Sequence, residues 1–166
     1  MCKTSSTSLS DYLNTDVRCS CGQVHRLDIA CIEISQNACE RLPDICAKLG
    51  YKTMLLVCDQ NTWQAAGRAA HDALRAAGAM STAHVFGSEA LVPDERACGE
   101  LMAAILPGTD VIIAVGGGTL NDLCKYISFK LGLPYIVYAT APSMDGFASV
   151  GAALILGGLK TTIDTR

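Results

Sequence analysis

The chain is 166 residues long, enough for one domain with a core of its own. Half of its residues are hydrophobic and 17% are charged, which excludes a disordered chain, and a formal net charge of -3 lacks the basic surplus that a nucleic-acid partner demands. The longest apolar run, FASVGAALILGGL, is too short and too broken by glycine to cross a bilayer, and MCKTSSTSLSDYLNTD has no apolar leader segment. A cytoplasmic protein without membrane insertion is expected.

Residues 1–16 are polar and rich in Ser and Thr, and read as a flexible arm ahead of one domain over 17–166. VRCSCGQVHRLDIACIEI alternates around Gly22 and predicts two short strands joined by a tight turn. The same segment spaces Cys19, Cys21 and His25 as C-x-C-x-x-x-H, three residues able to ligate zinc. That spacing is none of the usual C-x-x-C frameworks and no fourth ligand is apparent, so the turn reading is preferred and no metal is assigned. CERLPDICAKLG is helical, with Pro43 expected to delay the start to near Leu42.

TMLLVCD reads as a strand, and NTWQAAGRAAHDALRAAG as a helix capped by Asn61 or Thr62 and ended by Gly78. STAHVF is a strand, PDERACGELMAAIL a helix with Pro93 in its first turn, and DVIIAV a strand buried on both faces. NDLCKYISFKLG is a helix, PYIVYAT a second doubly buried strand, and AALILGGLKTTI a closing hairpin around Gly157 and Gly158. Strands alternating with helices of this length pair in parallel through right-handed crossovers. The fold class is therefore α/β, a Rossmann-like doubly wound parallel sheet with a terminal β-hairpin.

The nine cysteines are an odd number, and Cys46, Cys58 and Cys124 sit in apolar periodic segments, so most are expected to be reduced and buried. His71 is placed on the solvated side of its helix and His84 on a strand, neither with a visible carboxylate partner. Trp63 is read as packing.

Three strand ends carry unusual text. Gly116, Gly117 and Gly118 fall between an apolar strand and a helix N-terminus, where unpaired N–H groups favour an anion; a tight turn without a ligand is the competing reading. Asp59 ends TMLLVCD and can accept both hydroxyls of a ribose, or cap the next helix. YATAPSMDGFASVG crowds Thr140, Ser143, Asp145 and Ser149 into one loop, which suits a site or a self-contained turn.

At these residues the chain resembles the sn-glycerol-1-phosphate dehydrogenases, within the wider group of glycerol dehydrogenases, iron-dependent alcohol dehydrogenases and dehydroquinate synthases. LLVCDQNTW, VGGGTLNDLCKY and TAPSMDGFASVGAALILGGLKTT carry the resemblance. It implies NAD or NADP as cofactor: Asp59 on the adenosine ribose, Gly117, Gly118, Thr119, Leu120, Asn121 and Asp122 around the pyrophosphate, and Thr140, Ala141, Pro142, Ser143 and Ser149 on the nicotinamide side. Asp145 would contact the substrate. The implied reaction is reversible hydride transfer between NAD(P)H and dihydroxyacetone phosphate, giving sn-glycerol 1-phosphate for phospholipid biosynthesis. The exposed hairpin edge at AALIL leads to the separate expectation of self-association as a homo-oligomer.

The resemblance also implies zinc or nickel, held by one aspartate and two histidines of a later helical domain. The chain stops at Arg166 before any of these, so a truncated cofactor-binding portion, inactive alone, is expected. A stand-alone nucleotide-binding or interaction module remains the alternative of a different class, beside an enzyme of the glycerol dehydrogenase or dehydroquinate synthase type. ISQNAC departs from the glycines usual in relatives after the first strand.

Overall fold

The computed structural model describes residues 9–87, 90–142 and 146–165, and falls into two compact units, Met1–Ala38 and Cys39–Arg166. In the first, Leu9–Tyr12 forms a 3-10 turn, and strands β1 (Asp16–Arg18) and β2 (Val24–Arg26) pair antiparallel with Val17 opposite His25. Gly22, at φ 86°, supplies the left-handed residue that reverses the chain, as the alternation predicts. The apolar alternation beyond it goes unused: pairing stops with a single bridge between Leu13 and Leu27, and Ile34 is 80% exposed.

Helix α1 (Ala38–Lys48), in the second unit from Cys39 on, starts at Ala38 rather than near Leu42 and so contains Pro43 in its interior. Proline at the sixth helical position removes only its own N–H bond to Cys39. Burial of Leu42 and Cys46 on the inner face offsets that loss, so packing overrides the local preference.

Strands β3 (Thr53–Asp59), β4 (Met80–Phe86), β5 (Val111–Gly116) and β6 (Tyr135–Ala139) form one parallel sheet in the order β4-β3-β5-β6. Side chains alternate between its faces. Leu55, Val57, Ile112 and Ala114 pack with Leu101 of α4 (Glu95–Ala104) and Leu120, Leu123 and Ile127 of α5 (Gly118–Leu131). Met54, Leu56, Val111, Ile113 and Val115 pack with α1 and with Leu74 of α3 (Arg68–Ala76). Covering both faces makes the sheet doubly wound, and every residue of β5 is buried. Ile113→Ala would cost about 2–5 kcal/mol. β6, expected to be doubly buried, is only half-buried, because it is an edge strand and among the described residues one side of its ladder has no neighbour.

The crossover after β3 starts with the short α2 (Gln60–Thr62), widens into a π turn at Trp63–Gly67 and continues as α3. Its cap is Asp59, with Thr62 as the reciprocal third residue of a capping box, not Asn61 or Thr62 as predicted. Likewise Asp94 caps α4 by accepting from the Ala97 N–H at 2.9 Å, which leaves Pro93 outside the helix. A type of hairpin turn with both central residues at positive φ, Gly157 at 58° and Gly158 at 78°, joins β7 (Gly151–Leu156) to β8 (Leu159–Asp164).

Cys46, Cys58, Cys98 and Cys124 are buried and unbridged, while Cys19, Cys21 and Cys31 are exposed. Burial pushes the Cys46 thiol up to about 11 and Cys58 up to about 12, so both are inert. Among the described residues no helix is long and apolar enough to cross a membrane.

Candidate functional site

The chain leaves β3 toward β4 and returns across β3 to β5, so the strand order reverses between β3 and β5. Loops leaving two adjacent strands in opposite directions open a crevice beyond their carboxyl ends. Asp59 and Gly116 stand at those two ends.

Asp59 uses Oδ1 to accept the Thr62 N–H at 2.8 Å, while its own N–H donates to Thr62 Oγ1 at 3.0 Å. Among the described residues no hydrogen bond engages Oδ2. The capping alternative is therefore realised, and it leaves one carboxylate oxygen for a second partner. The π turn beside it ends at Gly67, which packs so tightly that a Cβ would lie 2.6 Å from Cys58 Sγ.

The three glycines separate into different roles. At Gly116 a Cβ would sit 2.3 Å from Leu120 Cδ1 and 3.0 Å from Leu120 Cβ, so this glycine lets the start of α5 lie against β5. Gly117 has φ -94° and ψ -158°, backbone that any residue adopts, and among the described residues its Cβ would meet only Ala141 Cβ at 3.6 Å. Neither conformation nor packing among the described residues explains a glycine at 117. Among the described residues no side chain caps the α5 N-terminus, which presents its N–H groups and the positive end of a 14-residue helix beside that space.

Gly118 and Thr119 follow on the half-buried surface of the turn, but Leu120 is 1% exposed and belongs to the core. Asn121 is also buried and donates from Nδ2 to Asp122 Oδ1 at 3.0 Å. Asp122 Oδ2 accepts the Ala153 N–H at 3.2 Å, which ties α5 to β7. Leu120 is thus part of the core and Asp122 is tied to β7, while among the described residues Asn121 Oδ1 is buried without a hydrogen-bond partner.

The Thr140 N–H donates to Gly116 O at 3.1 Å, carrying the β5–β6 ladder past the strand end and setting Ala141 against Gly117. Pro142 is exposed; Ser143 and Asp145 lie outside the described residues. Ser149 Oγ accepts the Gly151 N–H at 3.1 Å in a local turn.

Lys125 was not singled out by its sequence context, yet its side chain is 3% exposed and its Nζ donates to Gly146 O at 3.2 Å and Gly151 O at 3.1 Å. It fastens both ends of the segment between them to α5. Desolvation lowers its pKa, partly countered by Asp122 at 3.9 Å. A lysine seven residues into a helix resembles any solvated lysine in sequence; only the apolar residues flanking it hint at burial.

Two histidines depart from expectation. His71 is largely covered, with Nε2 at 3.1 Å from Ser81 O and its ring 5.8 Å from Trp63, which packs on the core. His84 Nε2 lies 3.2 Å from Glu100 Oε1, though out of line for a hydrogen bond, and its ring meets Phe86 edge-on. Neither borders the glycine turn. Among the described residues no aspartate gathers with two histidines, so this chain's donors do not fit the catalytic metal that the resemblance implies.

Residues 33–166 match the family model described as iron-containing alcohol dehydrogenase. A glycerol-1-phosphate dehydrogenase (NAD(P)+) from Bacillus velezensis is 41% identical over 143 residues, covering 84% of this chain and 36% of that protein. Its counterpart from Bacillus subtilis is 38% identical over 138 residues, covering 81% and 35%. The crystal structure of glycerol dehydrogenase from Schizosaccharomyces pombe superposes with a TM-score of 0.62 at 31% identity, over 70% of this chain and 29% of that one. A 1,3-propanediol oxidoreductase superposes at 0.67 over 78% of this chain and 39% of that one, and at 22% identity shows the fold alone. The chain spans about a third of the length of the curated relatives it matches. The parallel sheet reversing between Asp59 and the glycine turn, together with these likenesses, shows that the chain belongs to the iron-containing alcohol dehydrogenase family.

Proposed function

We propose that this chain supplies the NAD(P)-binding portion of a metal-dependent sn-glycerol-1-phosphate dehydrogenase, which transfers hydride between NAD(P)H and dihydroxyacetone phosphate. One observation carries the reading: among the described residues Gly117 is needed neither for its backbone angles nor for packing, and it leaves space before a helix N-terminus that none of their side chains caps. That is a cradle for a pyrophosphate, which a Cβ would fill. Asp59 then serves twice, with Oδ1 closing its capping box and Oδ2 accepting from the adenosine ribose. Backbone N–H groups of Gly118 and Thr119 hold the phosphates, and Thr140, Ala141 and Pro142 wall the nicotinamide side. The bound nicotinamide supplies the hydride. The catalytic metal, zinc or nickel, belongs to residues other than those described.

Calorimetric titration of the chain with NADH tests the reading. Saturable one-to-one binding is expected, competed by ADP. Asp59→Asn keeps a good N-cap and therefore the fold, but loses a charge-assisted hydrogen bond of about 1.5–3 kcal/mol and should weaken binding by tenfold or more. Absence of binding by the unaltered chain, or unchanged affinity in folded Asp59→Asn, refutes it. In the complete enzyme, Asp145→Ala should lower kcat/KM for dihydroxyacetone phosphate while sparing cofactor affinity, as steady-state kinetics with each reactant varied would show.

A further inference from the structure

The unit Met1–Ala38 holds three chemically active groups that cofactor binding leaves unused. Pairing of β1 with β2 ends at Arg18 and Val24, and residues 19–23 reverse the chain. The Cys19 N–H donates to Gln23 O at 2.9 Å and the Gly22 N–H to Cys19 O at 3.0 Å, with Gly22 at φ 86°. This turn puts both of its thiols beside the imidazole of His25. Cys21 Sγ lies 3.2 Å from His25 Nε2, the Cys21 N–H is directed at Cys19 Sγ at 3.5 Å, and the ligand atoms of all three residues lie within 4.8 Å of one another. Among the described residues no other trio of Cys, His, Asp or Glu converges in this way.

We propose that Cys19, Cys21 and His25 form a zinc-binding site, with the fourth tetrahedral position open to water or an exogenous ligand. Two thiolates and an imidazole are soft and borderline donors, which select zinc over calcium or magnesium. Zn–S bonds of about 2.3 Å and Zn–N bonds of about 2.0–2.1 Å place tetrahedral donors roughly 3.5–3.8 Å apart, within the range the three atoms span. Small rotations of surface side chains close the remaining difference. Binding releases the two thiol protons to solvent, and the two thiolates then balance the charge of the dication. The Cys21 N–H aimed at Cys19 Sγ is the outer hydrogen bond that steadies a ligating sulfur. The hairpin itself requires none of these side chains: Gly22 and the two backbone bonds suffice to turn it. Sequence spacing alone left this site unassigned because C-x-C-x-x-x-H becomes convergent only once the turn brings the start of β2 back beside the thiols.

The test is metal content and cobalt substitution on the intact 166-residue chain. Plasma mass spectrometry should find one equivalent of zinc, and Co(II) in its place should show thiolate-to-cobalt charge transfer with the visible bands of a tetrahedral ion. Cys19→Ser, Cys21→Ser and His25→Asn should each lose that equivalent, whereas Cys31→Ser, at another exposed cysteine, should keep it. Circular dichroism of each variant should show the α/β unit retained. Without any substitution, zinc should protect Cys19 and Cys21 from alkylation mapped by peptide mass spectrometry, and chelation should restore it. No tight equivalent in the unaltered chain, metal that follows Cys31 instead of the three residues, a cobalt spectrum without thiolate charge transfer, or alkylation indifferent to chelation would overturn the proposal.

Discussion

Replacing Gly116 and Gly117 in turn should separate folding from binding within two adjacent residues. Gly116→Ala sets a methyl 2.3 Å from Leu120 Cδ1, 3.0 Å from its Cβ and 3.2 Å from its Cγ. The Cδ1 methyl can rotate away, but the Leu120 Cβ moves only with α5, and Leu120 is 1% exposed with no free volume to enter. Overpacking of this kind costs about 1–3 kcal/mol, which for a domain of this size lowers Tm by roughly 2–12 °C. At Gly117→Val the Cβ meets, among the described residues, only Ala141 at 3.6 Å on ordinary extended backbone, and stability should change by no more than about 0.5 kcal/mol. Its methyl groups nevertheless occupy the cradle, so NADH affinity should fall at least about 100-fold, equivalent to about 2.8 kcal/mol. Urea melts followed by circular dichroism, paired with calorimetry, measure both quantities. Equal destabilisation by the two variants, or a folded Gly117→Val that binds NADH normally, would refute the division of roles.

Lys125→Met should cost about 2 kcal/mol by leaving Gly146 O and Gly151 O without their charged donor, and should speed amide exchange around 146–151; exchange unchanged there would show that the lysine does not hold the segment. Asp110 Oδ2 accepts the Lys52 and Thr53 N–H groups, both at 2.8 Å, and these bonds hold its carboxyl below the ordinary 3.8. A depressed folded pKa contributes stability that is complete above the ordinary value and is lost as pH falls through the lowered one. The stability gap between the unaltered chain and Asp110→Asn, from urea melts, should therefore be constant above about pH 5 and shrink below pH 3.8; a gap that widened with acid would contradict the linkage.

Much of the architecture is legible because burial leaves a period. The runs TMLLVCD and VIIAVG name the two central strands, and Gly78, Gly132 and the Gly157–Gly158 pair mark chain reversals through positive φ. What escapes depends on how the pieces meet. Pro43 is tolerated because Leu42 and Cys46 are buried, Asp59 realises its capping alternative because Thr62 answers it, and β6 is half exposed because among the described residues nothing pairs beyond it. At the candidate site, the strand ends and the glycines are readable, yet their division of labour is not. VGGG does not say that its first two glycines respectively admit a leucine and leave a space. Nor does the spacing of Lys125 from Gly146 and Gly151 disclose that one ammonium group binds both carbonyls.

The sheet order has a consequence for the order of assembly. Hairpins β1–β2 and β7–β8 join neighbouring segments and can close in microseconds, whereas no two strands of the parallel sheet are linked by a tight turn. The pairing of β3 with β5 must close a loop from Met54 to Val111 that contains all of β4 and α4, the costliest ring in the sheet and one whose entropy must be met before contacts compensate it. Asp59 and Gly117 belong to the two strand ends that this closure unites. The crevice proposed for the cofactor therefore cannot exist in a partly zipped chain. A bound dinucleotide would add its free energy only to the finished sheet, slowing its unfolding without guiding its earlier steps.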